Sequence, residues 1–164
     1  MNNYKNSRKD AFLATIPQAS IETHTDCLTE KCKFNFAYFT KQPASQSFEE
    51  WNHDQLCKLL NKIKEYSNQP LTYWKNERLG KSGSVLSIYG AFPKSSACTY
   101  PSLVPHQAQW ATFRLESAVR LAGFILPQSY NGHVHPATGM RYDCNTFYVV
   151  FLDANHKFYI TKKK

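Results

Sequence analysis

The sequence predicts an α+β fold: an antiparallel, partly curled β-sheet with one main amphipathic helix packed on it. Three patterns carry this. Residues 110–115 and 119–126 alternate with the period of paired strands, and residues 146–152 form a β-branched and aromatic run of strand length. Between 48 and 67 the apolar residues recur at helical spacing instead.

Successive side chains of a strand point to opposite faces, so a proposed turn can be checked by the faces it produces. A loop of Glu116, Ser117 and Ala118 pairs Leu115 with Val119, Phe113 with Leu121 and Ala111 with Gly123. The other face then holds Arg114 opposite Arg120, Thr112 opposite Ala122 and Trp110 opposite Phe124. A register one residue away sets Arg120 against Phe113 and mixes the faces. The loop lacks the glycine that three-residue hairpins favour, which leaves a longer, bulged connection open. Two arginines facing each other repel. Either an anion occupies the space between them, or Glu116, another acid or water screens them.

A second hairpin is expected. The strand 146–152 is apolar on both faces, as a central strand is, and Asp153-Ala154-Asn155-His156 supplies turn chemistry. A four-residue loop sets Phe151 opposite Phe158 and Val150 opposite Tyr159, with His156 at the tip.

The helix over 48–67 opens on Ser47-Phe48-Glu49-Glu50, a serine with glutamate at the third helical position. Phe48, Trp51, Leu56, Leu59, Leu60, Ile63 and Tyr66 form its apolar set, Lys58, Lys62 and Lys64 its solvated face, and Pro70 its stop. Residues 32–39 and 85–89 read as further strands. Pro93, Pro101 and Pro105 make 92–105 an extended loop over the sheet.

The 164 residues suit a single domain, with a loosely ordered basic arm over 1–20 and a basic tail at 162–164. A formal charge of +8 points to RNA or another polyanion, or to an acidic protein. Five cysteines without paired spacing predict free thiols and a reducing compartment, the cytoplasm. The apolar run 11–16 is too short to cross a membrane, so no membrane partner is expected.

Metal and phosphate motifs are incomplete. His24, Cys27 and Cys32 lack a second ligand pair. In the long loop 127–145, His133-x-His135 with Asp143 or Cys144 has no compelling spacing, and the length alone marks a functional or mobile segment. Gly80-Lys81-Ser82 follows Lys75 where a phosphate loop needs glycine. No metal or cofactor is expected.

The helix 48–67 preceding the strands with Arg114 and Arg120, and Phe147 to Leu152 leading into His156, Lys157 and Tyr159, resembles the RelE/ParE superfamily of bacterial toxins. The likeness covers under half of the chain, which also has an additional N-terminal region and the 127–145 insertion. It implies an endoribonuclease acting on messenger RNA without a metal, and a ribosome or an acidic antitoxin-like protein as partner. Under it Arg114 and Arg120 grip phosphate, and His156 and Tyr159 serve as acid or base. Lys157, Arg141 and Trp110 are expected RNA contacts. The alternative is a non-enzymatic basic module that binds nucleic acid or an acidic protein through phosphate contacts and stacking.

Overall fold

A computed structural model describes residues 6–16, 20–80, 83–116 and 118–160. The tail 162–164, the loop residue Ser117 and part of the N-terminal arm lie outside the described residues. The fold is α+β. Five strands form one sheet in the order β1 (Lys33–Asn35), β7 (Thr146–Asp153), β6 (Arg120–Ile125), β5 (Gln109–Arg114), β4 (Leu86–Gly90). All neighbours are antiparallel except β1 and β7. A two-stranded hairpin, β2 (Arg78–Leu79) with β3 (Gly83–Ser84), stands apart.

The expected register of β5 and β6 is the one observed, from Trp110 opposite Phe124 to Arg114 opposite Arg120. Beyond the last pair, Leu115 N–H donates to the Val119 carbonyl at 3.0 Å, which extends the expected pairing to Leu115 and Val119. The loop's missing glycine is offset by Arg120, whose Nη1 donates to the carbonyls of Glu116 and Val119, each at 2.9 Å.

The second hairpin does not form. Residues 154–160 contain no strand, because another segment already occupies the outer edge of β7. β1 runs parallel to it, Thr40 N–H donates to the Val150 carbonyl at 3.0 Å, and Gln46 pairs with Leu152. The chain still turns at Asp153, but its return is not a ladder partner.

Alternation sorts the sheet's side chains into two cores. Phe113, Leu121, Phe147, Val149 and Leu152 face the helical layer, packing with Trp51, Leu59, Tyr66, Leu71 and Trp74. Trp110, Phe124, Val150, Phe151 and Phe158 face the other way, under Ala44, Cys98, Val104 and Ala108 from loops. Val150 and Phe151 share a side because a bulge in β7 skips one residue: Ala122 pairs with Phe151 and Gly123 with Val149. At Gly123 the strands approach so closely that a Cβ would lie 2.0 Å from the Tyr148 carbonyl oxygen.

The predicted helix is cut in two. Ser47 and Glu50 form their capping box around one 3-10 turn, Phe48–Glu50. Trp51 is then extended, and Asn52 caps again with Gln55, opening α2 over His53–Tyr66. Leu60, counted in the apolar set, is 63 % exposed, since the stripe passes through Leu56, Leu59, Ile63 and Tyr66. Pro70 ends the pattern and also caps a further helix, α3 (Leu71–Asn76). In the arm, α1 (Ser7–Ala14) has no buried residue.

The loop 127–145 is ordered by its own backbone. Tyr142 N–H donates to the His133 carbonyl at 2.8 Å and His135 N–H to the Met140 carbonyl at 2.7 Å. Lys33 and Asp143 tie it to β1 at 2.6 Å. All five cysteines are free thiols. Among the described residues no helix is long and apolar enough to cross a membrane.

Candidate functional site

Where β4, β5 and β6 meet the β2–β3 hairpin and the end of the chain, a recess of about 500 Å³ opens. Arg114, Arg120, His156 and Tyr159 all line it. The register explains the two arginines: Ser87, Thr112 and Arg114 follow one another on a single face of the β4–β5 pair, and Arg120 stands across from Arg114.

The two guanidiniums are not equivalent. Arg120 is 7 % exposed and spends Nη1 on loop carbonyls, whereas Arg114 is half-buried. Burial first, and then the Arg114 charge, lower the pKa of Arg120. On the hairpin side, Gly83 permits close approach: a Cβ there would lie 3.4 Å from Arg114 Nη2. Beneath, the Tyr66 hydroxyl of α2 donates to the Arg114 carbonyl and its own pKa is pushed up to about 12, chiefly by burial.

Two polar lining residues, Tyr89 and Ser84, escape a reading of the sequence. A bulge between Ile88 and Gly90 takes Tyr89 out of the β4 ladder, and its hydroxyl lies 3.0 Å from the Thr112 hydroxyl. Tyr159 stacks on Tyr89 with ring centroids 4.6 Å apart and planes 7° from parallel. Burial raises the Tyr89 pKa. Ser84 joins from the hairpin. The alternation of β5 marks Thr112 as a neighbour of Arg114; nothing comparable marks Tyr89 or Ser84.

His156 is half-buried and sits at φ +55°, a left-handed conformation rare outside glycine. It is therefore not the open hairpin tip expected. Its Nδ1 is buried without a hydrogen-bond partner among the described residues.

Other expected contacts lie elsewhere. Trp110 is 1 % exposed and packs against Phe92, Tyr100, Phe151 and Phe158, so it cannot stack a base. Loop 92–108 and Phe158 cover the face that alternation alone leaves open. Arg141 is not on the recess, and its Nη1 donates to the Gly132 carbonyl at 2.8 Å. Lys157 is exposed and also lies off the lining.

The recess carries two guanidiniums, an imidazole and the hydroxyls of Ser84, Ser87, Tyr89, Thr112 and Tyr159, with no acidic side chain on its lining among the described residues. Chemically such a lining can receive an anion and offers side chains able to give or take a proton. A larger recess of about 580 Å³ between α3 and the 127–145 loop has Glu30 as its charged lining residue, and so no cation for an anion. Among the described residues no three His, Cys, Asp or Glu side chains gather as a metal site. No protein-family model matches the chain, nor does any curated protein or solved structure.

Proposed function

We propose that the protein binds RNA at the Arg114–Arg120 recess and cleaves it there as an endoribonuclease. The observation that carries the reading is the grouping of Arg114, Arg120, His156 and Tyr159 on one recess whose described lining holds no acid. The order of helix and sheet, which resembles that of the RelE/ParE toxins, supports the same reading.

Cleavage uses the ribose 2′-hydroxyl as nucleophile. His156 takes its proton while the 2′-oxygen bonds to the adjacent phosphorus. Arg114 and Arg120 neutralise the charge that builds on the phosphorane oxygens. The bond from phosphorus to the 5′-oxygen then breaks, and Tyr159 supplies a proton to the departing oxygen. The products are a 2′,3′-cyclic phosphate and a 5′-hydroxyl. Arginine charge replaces a metal ion in this scheme, and messenger RNA on a ribosome is the substrate context.

Purified protein is incubated with RNA, with and without ribosomes and with and without chelator. Cleavage that survives chelator, leaves cyclic phosphate ends and disappears in Arg114→Gln is the expected result. RNA binding without cleavage under every condition overturns the enzyme reading in favour of a basic binding module.

A further inference from the structure

The groups at the recess wall are rooted in two different parts of the chain. Arg114 and Arg120 belong to the sheet, whereas His156 and Tyr159 belong to a segment that no strand ladder holds. Ala97 N–H donates to the Lys157 carbonyl at 3.0 Å and Ala154 N–H to Gln46 Oε1 at 2.8 Å, but the turn that carries the second pair closes on one side chain. Asp153 is 1 % exposed and ends β7 directly opposite Arg120. Its Oδ1 accepts from the N–H groups of Lys157 at 2.8 Å and Asn155 at 3.3 Å, and its Oδ2 accepts from Phe158 N–H at 2.8 Å. These bonds close residues 154–158 into a loop over a single carboxylate. The loop sets the left-handed turn at His156, drives Phe158 into the loop-covered core and delivers Tyr159 to Tyr89.

We infer that Asp153 is the positioning residue of this recess, holding His156 and Tyr159 in place against the two arginines. It lies outside the lining, so it acts through the groups it orients and not on a ligand. The carboxylate is chemically specific to the task. Both oxygens accept, whereas the amide nitrogen of an asparagine only donates and cannot receive the N–H groups converging on it. The Asp153 charge also opposes the effects of burial and Arg114 on Arg120, favouring the charged guanidinium beside it. The inference separates two tasks: the arginines hold an anion without Asp153, but proton transfer needs it.

Its kinetic arm rests on the cleavage reading; its spectroscopic arms do not. In wild-type protein the Lys157 and Phe158 amides should exchange slowly with solvent, as donors to a buried carboxylate do. In Asp153→Asn the His156 imidazole resonance, assigned by its disappearance in His156→Gln, should move. RNA cleavage should fall about 100-fold in kcat, the scale of a misplaced catalytic group, while affinity for uncleavable 2′-deoxy oligonucleotide holds. Val150→Ala weakens the same core without removing any bond to the Asp153 carboxylate and should keep both kcat and the resonance.

An unmoved His156 resonance with kcat no lower than in Val150→Ala overturns the inference. If Asp153→Asn does not fold, the wild-type exchange decides: fast Lys157 and Phe158 amides overturn it, slow ones uphold it. If wild-type protein does not cleave RNA, the enzyme reading fails and Asp153 is judged by exchange and resonance alone.

Discussion

Arg114 and Arg120 face each other across β5 and β6, and among the described residues it is Arg120 that is anchored to the loop joining the strands. Equal behaviour, which the sequence suggests for two facing arginines, is thus replaced by an asymmetry. Removing Arg114 relieves a repulsion; removing Arg120 also strips two carbonyls of their donor.

Arg114→Gln should leave stability unchanged or raise it by up to about 1 kcal/mol, the range of a cross-strand pair. Arg120→Gln should cost about 1–2 kcal/mol, because two part-buried carbonyls lose a charged donor. Both variants should weaken RNA binding and reduce its dependence on salt by about one phosphate contact each. Thermal melts beside titrations at several salt concentrations measure the two effects. Equal stability losses in the two variants contradict the asymmetry, and unchanged salt slopes remove the arginines from the RNA site.

What the sequence discloses and what it hides divide along a physical line. The β5–β6 register is legible because the strands are adjacent in the chain and one slip mixes apolar with charged faces. The β1–β7 pairing is not, since three residues from far upstream leave no periodic trace. Asp153 turn chemistry is local and real, but whether a return strand can pair depends on who holds the edge of β7, and residues 33–46 hold it. Arg114 and Arg120 emerge from alternation on a shared face. Tyr89 does not, because a bulge aims it, and Trp110 is misread because the prolines that lay loop 92–105 over the sheet do not say which face it covers.

Asp143 makes stability depend on acid pH through the 127–145 loop. Burial works to raise its pKa, but Lys33, the Asn145 N–H and the Thr146 hydroxyl outweigh it and hold the carboxyl below the usual carboxylate range. A depressed folded pKa contributes stability that is complete above the unfolded value, about 3.9, and is lost as pH falls through the folded one. The stability gap between wild type and Asp143→Asn should therefore be flat from neutral pH to about 5 and close below about 4. Chemical denaturation across that range measures it. A gap that closes at neutral pH contradicts the ion pair.

Thiol reactivity should follow burial. Cys57 is exposed on α2, while Cys32, Cys98 and Cys144 are buried. The Cys32 thiol is pushed up to about 12, chiefly by burial, and lies 3.1 Å from the Tyr66 carbonyl. Only the thiolate is nucleophilic. Alkylation of native protein followed by peptide mass mapping should label Cys57 first, and the three buried thiols only after unfolding. Cys32 labelled as fast as Cys57 contradicts the packing of α2 on the sheet.

His156 combines two features that cost stability: a left-handed backbone and a buried Nδ1 without a hydrogen-bond partner among the described residues. Glycine at this position removes both, because it adopts positive φ without a Cβ clash. Against this stands glycine's greater freedom in the unfolded chain and the loss of the ring's half-buried contacts. His156→Gly should consequently be unchanged in stability or more stable by up to about 1 kcal/mol. His156→Ala keeps the Cβ in the strained backbone and should be the less stable of the two. Under the enzyme reading both variants abolish cleavage, since neither carries the imidazole. Thermal melts of the pair, run beside the cleavage assay, separate the backbone contribution from the chemical one. A glycine variant less stable than the alanine variant would show that the turn at 156 is not left-handed, and an active variant of either kind would remove His156 from the reaction.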